Sequence, residues 1–153
     1  VKVAVVERHQ LTGNVACGFL KGYGIKEGAV ALSVAHDSHK YHRCGSQRRR
    51  DGLCSRSIKR TERRRRARKR RQSHFESMPM PIAGLMSDQS AEWVDAKLTA
   101  FARKKLMKSW GVNDDVEPVM TLCFMSLAVI PELKLTDEGL FDVTKFAFID
   151  VEC

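Results

Sequence analysis

Two short clusters hold side chains able to do acid–base or ligand chemistry. His36-Asp37-Ser38-His39 sets two imidazoles and a carboxylate within four residues, and Glu7-Arg8-His9 sets a carboxylate, a guanidinium and an imidazole in succession. Imidazole changes charge near neutral pH, so such groups can contact a polar substrate or orient atoms beside a metal. His36, Asp37 and His39 offer ligands at i, i+1 and i+3, a partial metal site. A nucleophilic Ser38–His39 pair is not expected, because neighbours on a strand point to opposite faces. Both clusters also read plainly as hydrogen-bonded loop anchors. For Glu7, Arg8 and His9 the anchor is the preferred reading; for His36, Asp37 and His39 the two readings stand level.

The third conspicuous group is a basic run, Arg63-Arg64-Arg65-Arg66-Ala67-Arg68-Lys69-Arg70-Arg71. It belongs to a block, residues 40–76, with 16 basic and three acidic residues, a local net of +13. The rest of the 153-residue chain has 11 basic and 15 acidic residues, so the formal net of +9 averages a mildly acidic protein with one cationic block. Such a run binds phosphate backbones with strong salt dependence and resembles a nuclear-import signal. It carries no interleaved aromatic residues for base stacking, and the flanks hold no nucleic-acid-binding motif. Non-specific polyanion binding through residues 48–71 is expected. An evolved basic-arm nucleic-acid-binding protein is the alternative functional class.

The elements that must position these clusters are read from hydropathy. Lys2–Glu7 reads as a buried strand, Val15–Leu20 as a second apolar stretch running into the glycine pair Gly22 and Gly24, and Gly28–Ala35 as another strand that ends at His36. Between Tyr41 and Ser73 large apolar residues are few, chiefly Leu53 and Ile58. A helix is predicted from about Ser90 to Trp110, capped by Ser87 or Ser90 and stopped by Gly111, with Val94, Leu98, Phe101, Ala102 and Leu106 on one face. Trp93, Leu98 and Phe101 are expected in the core. Val119–Ile130 is a buried helix or a bent strand ended by Pro131. Asp137-Glu138-Gly139 reads as a turn and Phe146–Val151 as a terminal strand. The fold class is α+β, one domain with a β-sheet and flanking helices, interrupted by a basic segment expected to be disordered.

Several classes drop out. No apolar run reaches the 18–20 or so residues of a membrane-spanning helix, and no signal peptide is expected at a start as soon charged as Val1–Glu7. The five cysteines are odd in number and lack metal-knuckle spacing, so a reduced, cytoplasmic setting is expected. Cys17 and Cys123 are expected in the core, and the six methionines are assigned to packing. A complete eight-fold β/α barrel, at about 250 residues, does not fit in this length.

Four stretches, Val5–His9, Val34–His39, Pro81–Asp88 and Val129–Asp137 followed by Gly139-Leu140 and Asp142–Lys145, resemble the C-terminal domain of the bacterial and archaeal adenine deaminases of the amidohydrolase superfamily. The resemblance assigns residues 1–39 to the N-terminal part of that domain and residues 77–153 to its remainder. Residues 40–76 depart from it. In the family the His-Asp-Ser-His cluster is followed by asparagine and a β-rich stretch, whereas here Lys40-Tyr41-His42-Arg43-Cys44-Gly45 follows. Those six residues can be written AAA TAT CAT CGT TGT GGN. Loss of one A gives codons for Asn-Ile-Ile-Val-Val-Gly, a buried strand. Much of residues 40–75 is therefore expected to be translated out of frame, with an in-frame patch near Ile58–Glu62.

The resemblance implies that the intact enzyme hydrolyses adenine to hypoxanthine and ammonia. A metal-bound hydroxide attacks C6, and an acid–base group protonates the leaving amine. It implies Mn2+ or Fe2+ as cofactor, with ligands on a barrel that this chain lacks, so no residue here is assigned as a metal ligand. It also implies a homo-oligomer when intact. The active-site-facing candidates are His36, Asp37, His39, Arg8 and His9, on the face turned toward that barrel. The chain alone, lacking also an initiating Met, is expected to be an inactive C-terminal fragment. A third reading makes it an interaction subunit that docks on a separately encoded barrel.

Overall fold

A computed structural model describes residues 1–46, 76–103 and 105–151. Two antiparallel sheets form the frame. The first has four strands, β1 (Lys2–Val6), β2 (Val15–Phe19), β3 (Ala29–Leu32) and β4 (Tyr41–Gly45), in the order β2-β1-β4-β3. The second has three, β5 (Leu133–Leu135), β6 (Leu140–Asp142) and β7 (Ala147–Ile149), in sequential order. Between them run helices α1 (Ala91–Arg103), α2 (Lys105–Ser109) and α3 (Pro118–Cys123). An α+β domain is what the hydropathy predicts.

Alternation of side chains along each strand gives the first sheet one buried face. Val3 and Val5 on β1 face inward with Val30 on β3 and with His42 and Cys44 on β4; cross-strand partners Val3–Cys44, Val5–His42 and Val30–Cys44 share that face. Leu135 of the second sheet packs against Val3 and Val5. Tyr23, Ile25, Met107, Val112 and Leu122 close over Val30 and Cys44. Tyr23 is buried whole, and its hydroxyl donates to the Pro118 carbonyl at 2.9 Å; burial pushes its pKa well above the ordinary phenol range.

Of the glycine pair Gly22 and Gly24, the second marks a close backbone approach, whereas a Cβ at Gly22 would meet nothing within 4 Å. Gly24 lies at φ +87°, and a Cβ there would meet the Gly111 carbonyl oxygen at 2.6 Å. Gly111 itself, at φ +88°, ends the helical segment as expected. Ser90 caps α1, its Oγ accepting from the Trp93 amide at 3.3 Å.

Several expectations are corrected. Lys40–Gly45, grouped by composition with the anomalous basic block, contains β4, the strand that joins β1 to β3. The rest of that block, residues 47–75, lies outside the described residues, as does its expected disorder. Cys17 is exposed rather than core, because β2 turns it to the outer face, whereas Cys123 is buried as expected. The α1 face is only partly covered: Leu98 is 37% exposed and Trp93 and Phe101 are half-buried. Met107 packs in the core, but Met86 and Met120 stand largely exposed. The Val119–Ile130 stretch divides into the short α3 and then turns, with Val129 72% exposed.

Candidate functional site

Sheet register decides what meets at the site. Val6, at the end of β1, pairs with Tyr41 at the start of β4, and Leu32, at the end of β3, pairs with His42. The loop after β1 and the β3–β4 connection therefore emerge at the same edge of the sheet. This brings together two clusters separated by more than 25 residues. His9 Nε2 lies 3.1 Å from the Ser38 carbonyl oxygen.

Glu7 organises the first loop. Its carboxylate accepts from the backbone amides of His9, Gln10 (2.9 Å) and Thr12 (3.2 Å), and Lys40 Nζ lies 3.7 Å away. Burial pushes the carboxyl up, but these three donors and the Lys40 charge outweigh it and hold the pKa at about 2. Lys40 also bridges to Asp137 at 3.0 Å, tying the site to the turn between β5 and β6. Arg8 reaches the other way. One Nη donates to the Ser33 carbonyl at 3.1 Å, the other donates to the Ala83 carbonyl, and the guanidinium lies over the Tyr41 ring. Ser33 Oγ donates to the neighbouring Gly84 carbonyl at 2.7 Å. Residues 81–86, pinched by an Ile82–Met86 bridge, are thus fastened to the ends of β1 and β3.

The second cluster is a tight turn, not a strand end. Asp37 (φ +59°) and His39 (φ +43°) both occupy the left-handed region, uncommon for residues with a Cβ. The His36 ring stacks on Phe124 at 4.1 Å between centroids. Ser38 Oγ shares a 2.7 Å hydrogen bond with Ser126 Oγ, so it is not paired with the adjacent imidazole. His39 Nδ1 is buried without a hydrogen-bond partner. His36, Asp37 and His9 are exposed, while Arg8 and His39 are half-buried.

This donor set does not fit a metal. His36 is committed to a ring stack and His9 faces a carbonyl. Among the described residues no group of three His, Cys, Asp or Glu side chains converges on one point.

Sequence reasoning misses the Arg8 clasp on residues 81–86 and the Lys40 bridge. Arg8 carries no spacing signal toward a loop 75 residues away. Lys40 falls by composition within the basic block, although its place directly after His39 is the hint that it begins a return strand.

Fold and site together define a small antiparallel α+β domain with a polar loop cluster at one sheet edge. The model of the adenine deaminase C-terminal domain matches residues 1–147. Adenine deaminase 2 of Desulfotalea psychrophila is 60% identical over 152 residues, covering 99% of this chain and 26% of the relative. The adenine deaminase of Nitratidesulfovibrio vulgaris is 44% identical over 163 residues, with coverage of 99% and 26%. Adenine deaminase 2 of Carboxydothermus hydrogenoformans is 43% identical over 150 residues, with coverage of 98% and 26%. The chain belongs to the adenine deaminase C-terminal domain family, and it spans about a quarter of the length of these relatives.

Proposed function

We propose that this chain serves as the C-terminal domain of an adenine deaminase, whose complete form converts adenine and water to hypoxanthine and ammonia. The observation that carries this is 60% identity over 99% of the chain to a protein named for that activity. The Mn2+ or Fe2+ ions of the complete enzyme belong to the part outside this chain. The chain's own contribution is the edge formed by Arg8, His9, His36, Asp37 and His39, turned toward the reacting purine. Two exposed imidazoles, two residues in left-handed backbone and the unpartnered Nδ1 of His39 support that reading, since strained backbone persists where surroundings over-determine it. Cys17 and Cys123 are free thiols, in keeping with a reducing, cytoplasmic setting. The complete enzyme is taken to be homo-oligomeric. The test is ammonia release from adenine by the purified chain with Mn2+ or Fe2+. None is expected, and turnover at the rate of a complete deaminase would overturn the assignment of catalysis to the missing part.

The reading extends to residues 40–75 as an out-of-frame stretch. Support comes from the inner face of β4. His42 and Cys44 are both fully buried there, opposite Val5, Leu32, Val3 and Val30. His42 Nε2 has no hydrogen-bond partner, and its Nδ1 lies 3.1 Å from the Lys40 carbonyl. With the codons AAA TAT CAT CGT TGT GGN, the slipped frame would put isoleucine at position 42 and valine at position 44, apolar at both buried sites. Polyanion binding through residues 48–71 is then a by-product of composition rather than a selected activity.

A further inference from the structure

We infer that β2 is the docking edge for a second copy of this chain: two β2 strands pair antiparallel across a two-fold axis at Cys17 and join two four-stranded sheets into one. The premise is backbone hydrogen bonding within this chain, so the pairing does not depend on the deaminase reading.

Register fixes which backbone groups of β2 are unused. The Glu7 amide donates to the Asn14 carbonyl at 3.0 Å, the Leu20 amide to the Val1 carbonyl at 2.8 Å, and the Val1 amino group to the Leu20 carbonyl at 2.9 Å. Hydrogen-bonded and non-hydrogen-bonded pairs alternate along an antiparallel ladder, so the even-numbered residues from Asn14 to Leu20 bond to β1. The N–H and C=O groups of Val15, Cys17 and Phe19 point the other way. Among the described residues no hydrogen bond reaches them.

The other three sheet edges are partly occupied or short. At the end of β3 the outward Ser33 carbonyl accepts from Arg8. On β5 the outward Leu135 amide donates to the Met125 carbonyl at 2.9 Å. β7 is three residues long and runs directly into Asp150. Open edges are ordinarily blunted by charge, proline or a bulge. From Gly13 to Leu20 the sequence has no charge and no proline, and β2 pairs with β1 without a bulge.

The strand is complementary to itself. A two-fold axis at Cys17 uses every outward N–H and C=O of Val15, Cys17 and Phe19 in both copies. It sets Val15 opposite Phe19 of the second copy, and Phe19 opposite Val15, two β-branched–aromatic pairs of the kind that stabilise antiparallel strands. These side chains are 53% and 70% exposed in the single chain. Lys21 falls opposite Gly13 of the second copy, so no like charges meet across the pair. The two polar loop clusters then stand at opposite ends of the joined sheet, because Val15 lies at the β1 end that carries Glu7 and Phe19 at the other.

The test is self-association of the 153-residue chain after nuclease treatment and at high salt, which removes bridging by nucleic acid through the basic block. Sedimentation is expected to show a dimer, and amide exchange at residues 15, 17 and 19 is expected to slow at least about tenfold as it forms. Cys17→Lys and Cys17→Glu, each at an exposed position, are each expected to weaken the dimer at least about tenfold, and mixing the two variants to restore a mixed dimer. A chain that stays monomeric up to about 1 mM overturns the inference. So does a dimer protected at residues 147–149 instead, or two folded variants that do not associate when mixed. Should either variant fail to fold, a short bifunctional maleimide on the unaltered chain decides. Joining of the Cys17 peptide to itself, necessarily between copies, supports the pairing, and its absence from the cross-linked dimer overturns it.

Discussion

An imidazole locked between Val5 and Leu32 carries a specific cost. His42 is fully buried, one ring nitrogen faces the Lys40 carbonyl and the other has no partner. A buried, unmade hydrogen bond costs about 1–3 kcal/mol, so His42→Ile is expected to raise unfolding free energy by roughly 1–2 kcal/mol. Urea denaturation at neutral pH measures it, and an unchanged or lower midpoint would show the ring to be well accommodated. The same burial lowers the His42 pKa. On acidification the unfolded chain takes up the proton first, so this group leaves stability untouched above about pH 6.5 and erodes it below. His42→Ile is expected to abolish that loss. A second loss remains in the variant. Glu7 and Asp142 are both held at about 2, Asp142 by the Thr144 hydroxyl and the Lys145 amide. Their contribution is present above about pH 4 and disappears as pH falls toward 2. Denaturation midpoints measured from pH 8 to pH 3 would separate the two phases.

Among the elements, the Gly24–Gly111 approach and the β4 strand show what hydropathy and composition do and do not encode. Gly13 and Gly24 both take left-handed φ, at +80° and +87°, but a Cβ at Gly13 meets nothing within 4 Å. Gly13→Ala is therefore expected to cost about 1 kcal/mol, the backbone effect alone. Gly24→Ala adds a clash with a backbone carbonyl and is expected to cost about 3 kcal/mol or more. Equal thermal shifts for the two variants would remove the close approach as an explanation. Gly22-Tyr23-Gly24 advertises that approach because glycine is the residue that permits it. β4 gives no such sign: its inward positions are His42 and Cys44 and its outward ones Tyr41 and Arg43, so no apolar alternation marks it as a strand. It is held instead by pairing to β1 on one side and β3 on the other, tertiary information that a local window does not contain. The α1 helix departs in the opposite sense. Its three- and four-residue apolar spacing is real, yet Leu98 remains 37% exposed, because spacing specifies a face and not what covers it. At the candidate site Arg8-His9 is legible as a polar cluster at a strand end and His36–His39 as a polar cluster, though it forms a turn beyond the end of β3; their meeting depends on the β1–β4 register, which β4's disguised pattern conceals.

At the scale of the whole molecule, two charge regimes share one chain. The flanks sum to −4 and build most of the two sheets, while residues 40–76 carry +13. If the cationic block is an accident of decoding, its binding to polyanions should follow charge alone. Affinity for random-sequence duplex DNA is then expected to fall steeply and log-linearly with salt, with the same slope for any sequence offered. Replacing Arg63, Arg64, Arg65 and Arg66 by glutamine should weaken binding to every duplex alike and flatten the slope by up to about 0.9 for each phosphate no longer neutralised. A tenfold or greater preference for one sequence or structure, abolished by that replacement, would instead mark evolved recognition. The coding DNA gives an independent reading of the same question. If the codons are AAA TAT CAT CGT TGT GGN, a single-base slip at Lys40 would place isoleucine at 42 and valine at 44, the two buried β4 sites; finding those codons is the outcome expected of the out-of-frame reading. Arginine codons confirmed without any such slip, together with sequence-selective binding, would make the basic block a working part of the protein.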